Sequence, residues 1–179
     1  MGIPISTIGL KISWVVETTA GTRPITGYKV IHNLKEFPDT NPSPNTQDAT
    51  TFDNLVNTSY VNLLTDLGGA LTITANLNNE LIEEWGELVS AYETASSGGK
   101  SVWMCVDIPK IDTAFYYPIE PAKLHFSGGT ANSLAEQSLY ITVTGDSEEG
   151  EKPTYAETTA MNESGEEQAQ GEEQAQAEE

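Results

Sequence analysis

From Asp146 to Glu179 the chain reads DSEEGEKPTYAETTAMNESGEEQAQGEEQAQAEE, and this stretch most limits what can fold. It holds 12 acids and one base, Lys152, and its Gly-Glu-Glu-Gln-Ala-Gln at 165–170 recurs at 171–176. Past Tyr155 its only large apolar residue is Met161. Such a segment cannot bury enough apolar surface to offset the entropy of ordering it, so the sequence predicts disorder over 146–179. The folded domain is then expected from residues 1–145. A chain of that length buries about two-thirds of its unfolded surface in one core.

The charge balance excludes whole classes of function. Across 179 residues, 8 Lys and Arg face 27 Asp and Glu, a formal net charge of −19. Residues 1–145 carry −8 of it and the last 34 carry −11. Phosphate affinity comes from Lys and Arg, so a basic reader of nucleic-acid sequence is not expected. No run of 18 apolar residues predicts a membrane span. Met1 to Trp14 lacks the basic and apolar regions of a secretory signal, which points to a soluble domain made inside the cell. A lone cysteine, Cys105, excludes an internal disulfide framework and a Cys-built zinc site.

Most of the domain reads as β. Lys11 to Glu17 alternates, with Ile12, Trp14 and Val16 on one face, and Gly27 to His32 follows a turn at residues 20–24. Thr50 to Leu55 and Ala70 to Leu77 are predicted next. In the latter Leu71, Ile73 and Ala75 alternate with Thr72, Thr74 and Asn76, the pattern of a sheet with one wet face. Ser101 to Ile108 is apolar enough for a central strand. Ala114 to Phe126, bent or at an edge because of Pro118 and Pro121, and Ser138 to Thr144 complete the set. One helix stands out from Asn78 onward. Leu81, Ile82, Trp85, Leu88, Val89 and Tyr92 form an apolar stripe, Asn78 or Asn79 caps the start, and Gly98 and Gly99 end it. The expected fold is mainly β, a sandwich or barrel with one packed α-helix.

Residues 36–48 fit neither core nor tail. Pro38, Pro42 and Pro44 punctuate a polar segment that reads as a long loop, a length that in compact domains usually signals function or mobility. An exposed tip carried by a stable sheet is the plainer alternative. Catalytic chemistry is sparse. His32 and His125 sit in predicted strands without a second His or Cys at ligand spacing, and Asp107 and Asp112 around Pro109 read as turn formers. Gly98-Gly99 and Gly128-Gly129 open no phosphate-binding loop. Trp14, Trp85 and Trp103 read as core, and Cys105 as a small buried hydrophobe. No enzyme, cofactor or metal is expected.

The order of motifs over residues 9–144 resembles the major tail tube proteins of long-tailed phages, whose fold is shared with tubes of contractile tails and type VI secretion. Gly9-Leu10 leads into an aromatic-bearing strand and a turn with Gly21, Thr22 and Pro24. Phe37-Pro38-Asp39 and Thr50-Thr51-Phe52-Asp53 follow. Asp66 and Gly68-Gly69 precede the alternating strand, the single helix comes next, and Phe126-Ser127-Gly128 closes the series.

The resemblance implies an architectural role in the virion, after assembly in the host cytoplasm. Six copies would close a ring, and stacked rings would form the conduit for DNA ejection. The partners implied are other copies of the chain, tail tip and tail terminator proteins, and a tape measure protein in the lumen. DNA would pass without specific binding, since six bodies at −8 repel phosphate. The segment with Phe37, Pro38, Asp39, Asn41, Pro42, Pro44 and Asp48 would contact the next ring, and Thr72, Thr74 and Asn76 would face the lumen. Two other readings stay open: a tube protein of a contractile or type VI machine, and a monomeric β-sandwich binding module using Tyr116-Tyr117.

Overall fold

The structure, a computed structural model, describes residues 4, 6–41, 43–53, 56–66 and 69–156. The strands are β1 (Lys11–Val16), β2 (Thr26–Ile31), β3 (Leu34–Glu36), β4 (Ser43–Asp48), β5 (Tyr60–Asp66) and β6 (Ala70–Asn76). After helix α1 (Asn79–Ser97) come β7 (Val102–Asp107), β8 (Thr113–Pro121), β9 (Glu136–Val143), β10 (Glu148–Glu151) and β11 (Thr154–Tyr155). One curled sheet runs in the order β11-β2-β1-β7-β8-β9-β6-β3, with β10 also paired to β8. All its pairings are antiparallel except β11 on β2. β4 and β5 form a separate two-stranded sheet. The protein is thus mainly β with one helix, as the period-2 patterns predict.

α1 forms where the stripe predicts. The Asn78 side chain accepts from the Leu81 N–H at 2.8 Å, and Glu80 suits the positive end of the helix dipole. At the other end Lys100 N–H donates to Ala95 C=O and Gly99 N–H to Ser96 C=O, a Schellman motif with Gly99 at φ +68°. Leu81, Trp85, Leu88, Val89 and Ala95 are buried against Ile12, Trp14, Ile31, Ile73, Val102, Met104, Ile119, Leu139 and Ile141. The Trp85 indole N–H donates to Ala122 C=O at 2.9 Å, so full burial leaves no orphan donor. Ile82 departs from the predicted stripe and is 44% exposed. It lies one residue, about 100° of helix, past the buried Leu81.

Every residue of β7 is buried, because both faces of this central strand are covered. Val102, Met104 and Val106 meet α1, whereas Trp103 and Cys105 join a second cluster with Tyr28, Ala114 and Tyr116. Glu17 is also buried there. Its carboxylate accepts from Gly21 N–H (3.0 Å), Ser101 N–H (3.0 Å) and the Trp103 indole (2.8 Å).

The lid on this second face is the segment expected to be disordered. A strap from Glu148 to Ala156 crosses it, so the domain does not end at residue 145. Arg23 stacks on the Tyr116 ring at 3.9 Å and donates to Glu148 at 2.7 Å. The Tyr116 hydroxyl donates to Glu151 C=O. Tyr155 donates to Asp107 at 2.6 Å, and Lys152 pairs with the same carboxylate at 2.8 Å. Thr154 and Ala156 N–H groups donate to Ile25 and Tyr28 C=O. The acids of this stretch are held by Arg23 and by main-chain ladders, which composition alone does not reveal. Residues 157–179 lie outside the described residues.

Three strand expectations also change. Thr50–Asp53 is the turn of a hairpin, with residues 54 and 55 outside the described residues. The loop expected at 36–48 contains the end of β3 and all of β4, which finds its partner in β5, a strand the sequence reading missed. β8 stops at Pro121, five residues before Phe126. The bend or edge expected at Pro118 is instead a change of partner within one continuous strand. There β8 exchanges β9 for β10, and Pro118 C=O accepts from Thr144 N–H at 2.9 Å.

Candidate interaction surface: an unsupported hairpin

β4 and β5 make the feature that most demands a partner. Backbone pairing runs from Ser43↔Asp66 to Asp48↔Tyr60, and among the described residues neither strand pairs with any other. Pro44 is tolerated because a two-stranded sheet has only edges. The turn is locally fastened. Ala49 N–H donates to Ser59 C=O at 2.8 Å, and Ser59 N–H to the Thr50 hydroxyl at 2.9 Å. Asp48 accepts from the Thr50 hydroxyl and amide, which holds its carboxyl below the usual range.

The arm's described apolar side chains are in water. Phe52 is fully exposed, Val56 is 89% exposed, and Tyr60, Val61 and Leu63 are each more than half exposed. Adjacent Tyr60 and Val61 point to opposite faces of the strand, so both faces of this sheet lack cover. An isolated hairpin is marginal in water, and contiguous exposed apolar surface marks an interaction site.

The predicted contact segment divides at the root of this arm. Phe37 packs against the helix-side core and so anchors rather than projects. Pro38 is half-buried, Asp39 accepts from Asn41 N–H at 2.9 Å, and the Thr40 hydroxyl donates to Tyr117 at 2.8 Å. Asn41 and Pro44 are exposed, Asp48 starts the turn, and Pro42 lies outside the described residues. The more apolar half of the arm, Phe52 to Leu63, was missed as a surface. The strand-forming run Tyr60-Val61-x-Leu63 was the signal that could have found it.

Thr72, Thr74 and Asn76 share the face of β6 opposite buried Ile73 and Ala75, with Thr74 half-buried. Their β9 partners, Tyr140, Ser138 and Glu136, extend this polar face, and Lys35 on β3 pairs with Glu136. The structure thus brings the predicted wet-face residues together, on the strand that follows the arm in the chain.

The groups that could serve catalysis hold the fold. Asp107 fastens the strap while Asp112 is exposed, so the two do not work as a pair. Burial pushes the Cys105 thiol up to about 11, which keeps it protonated and unreactive. Burial likewise pushes Tyr28 up to about 12. His32 Nδ1 lies 2.5 Å from Glu84 and 3.8 Å from Glu80, and Asn33 donates to Glu80 at 2.7 Å. These three titratable groups match a metal-ligand set in type. Each is exposed or partly so and already engaged by the others, and together they fasten α1 to the end of β2. Tyr116 is fully buried and Tyr117 half-buried, so this pair presents no open aromatic patch. Among the described residues no helix is long and apolar enough to cross a membrane. Compared with known proteins, the chain matches no family model and no curated sequence.

Proposed function

We propose that the chain is a self-assembling structural subunit of a phage tail tube, with a tail-tube fold, that stacks as six-membered rings around a passage for DNA. The observation that carries this reading is the unsupported arm with its water-exposed apolar residues. A second feature supports it. The curled sheet ends on two short strands, β3 and β11, whose outer edges pair with no further strand among the described residues and could join laterally to copies on either side. The polar face of Thr72, Thr74, Asn76 and Glu136 then lines the lumen, where hydroxyls, an amide and an acid already paired with Lys35 give DNA little to adhere to. Tail tip, terminator and tape measure proteins are the expected partners at the ends and in the lumen, and the virion is the expected location.

Electron microscopy of the purified protein over a range of concentrations tests this. Rings of six or tubes are expected. Replacing residues 44–65 by a short Gly-Ser linker should keep the melting of the body and abolish stacking. Monomers at every concentration, or normal tubes from the armless protein, would overturn the proposal.

A further inference from the structure

A shallow apolar groove of about 530 Å³ runs along the second half of α1 beside the end of β1. Val16, Ala91 and Ala95 supply its apolar lining, with Ser90 and Thr94 beside them. Glu87 and Lys100 lie toward its two ends in the chain direction. The ends differ in charge. Glu87 is neutralised by Lys29, whereas Lys100 stands in no ion pair among the described residues and acts on Glu17 only through space. The groove therefore presents an apolar floor with a cation, Lys100, at one end, offset in part by the buried Glu17 carboxylate.

The arm offers the complement. Residues 43–66 contain three acids, Asp48, Asp53 and Asp66, and no base. At its turn the fully exposed Phe52 is followed directly by Asp53. The arm's own chain does not cover Phe52, so knob and groove are both open on one molecule. We infer that the groove receives the arm turn of a second copy of this chain, with Phe52 over Ala91 and Ala95 and Asp53 facing Lys100. This rests on the self-assembly reading above and adds the docking site to it. A knob and a hole on different patches make a head-to-tail contact, which propagates instead of closing on itself. Stacking requires such a contact.

Disulfide trapping tests the inference on the full chain. Cys105 is buried and protonated at neutral pH, so introduced cysteines report without interference. Thr51→Cys with Thr94→Cys keeps Phe52 and places one thiol beside the knob and one in the groove. Under tube-forming conditions, oxidation should give a ladder of covalent multimers. Its yield should exceed that of a Thr51→Cys, Lys110→Cys control about tenfold, because docking raises the local thiol concentration. Ser90→Trp, at an exposed position, should fill the groove, leave the monomer's melting unchanged and stop stacking. Tubes that form without the ladder, or that form normally from Ser90→Trp, would overturn the docking and leave the subunit reading standing. Failure of the unsubstituted protein to assemble would overturn both.

Discussion

Glu17→Gln removes one charge from the second core and nearly keeps its shape, so it isolates what the carboxylate does there. Burial by itself would raise the Glu17 pKa. The hydrogen bonds from Ser101, Trp103 and Gly21, helped by Lys100, outweigh burial and hold the carboxyl below its ordinary value of 4.5. Glutamine has one acceptor oxygen and one donor nitrogen. If its oxygen serves Gly21 and Ser101, its amide group meets the Trp103 indole N–H, donor against donor. One buried donor left unpaired and two bonds stripped of charge assistance cost roughly 2–4 kcal/mol together. Urea unfolding at pH 7 should move by about 1–2 M, given slopes of about 1–3 kcal/mol/M for small domains. The pH dependence has a definite sign. A carboxyl whose folded pKa is depressed adds its full stability above the unfolded value of about 4.3. It loses that stability as pH falls through the folded value, because there only the unfolded chain had already taken up the proton. The gap between wild type and Glu17→Gln should therefore narrow below about pH 4. A variant within about 0.5 kcal/mol of wild type at pH 7, the spread of ordinary surface changes, would refute the reasoning. So would a gap that is the same at pH 7 and pH 3.

Other substitutions probe other parts of the fold. Trp85→Ala should cost about 3–5 kcal/mol in chemical denaturation, since it opens a cavity under α1 and orphans Ala122 C=O. A mutant as stable as wild type would place Trp85 outside the core. Truncation after Ser147 removes β10 and β11 and should lower the melting temperature and expose Trp103 to aqueous quenchers, whereas truncation after Ala156 should do neither. Gly150→Ala should cost about 1–3 kcal/mol, because its new methyl would stand 2.9 Å from an Arg23 nitrogen. Arg23 cannot swing away without losing Tyr116 or Glu148. Equal urea midpoints would show that the guanidinium yields freely.

Elements whose partners lie in the hydrophobic pattern itself were readable. β1, β6 and α1 each carry a run whose period states which face is buried, and the structure buries those faces; β7 is a near-continuous apolar run and is covered on both. The strap and the arm were not readable from such a pattern. In the strap, Glu148, Glu149 and Glu151 look like solvated acid. Their ordering depends on Arg23, 125 residues away from Glu148, and on main-chain bonds that no composition encodes. The one local hint was Tyr155, an aromatic in an otherwise polar stretch, and it is the residue that reaches Asp107. In the arm, β4 (SPNTQD) has poor strand propensity, with a proline and no large apolar residue, and it is a strand only because β5 supplies the ladder. The site residues divided for the same reason. Phe37 is apolar and found the core, while Asn41 and Asp48 are polar and stayed outside.

The placement of stability within the molecule bears on how a subunit of the proposed assembly would avoid assembling too soon. The body has two packed layers on one sheet, and its open edges, β3 and β11, are three and two residues long. Short edges give another chain little ladder to grip, so lateral joining needs other contacts to favour it. The arm is the reverse: long enough to pair over six and seven residues, yet without a layer to pack on. In the proposed assembly its apolar residues gain cover at a second copy, so the free energy of ordering the arm would belong to the contact and not to the monomer. Each weak contact then depends on the other. Lateral pairing through two short edges is strengthened when arms hold both neighbours to the next layer, and an arm docks better on a groove already held in place. In the proposed assembly, growth would accordingly be slow from free monomers and fast from an existing ring end.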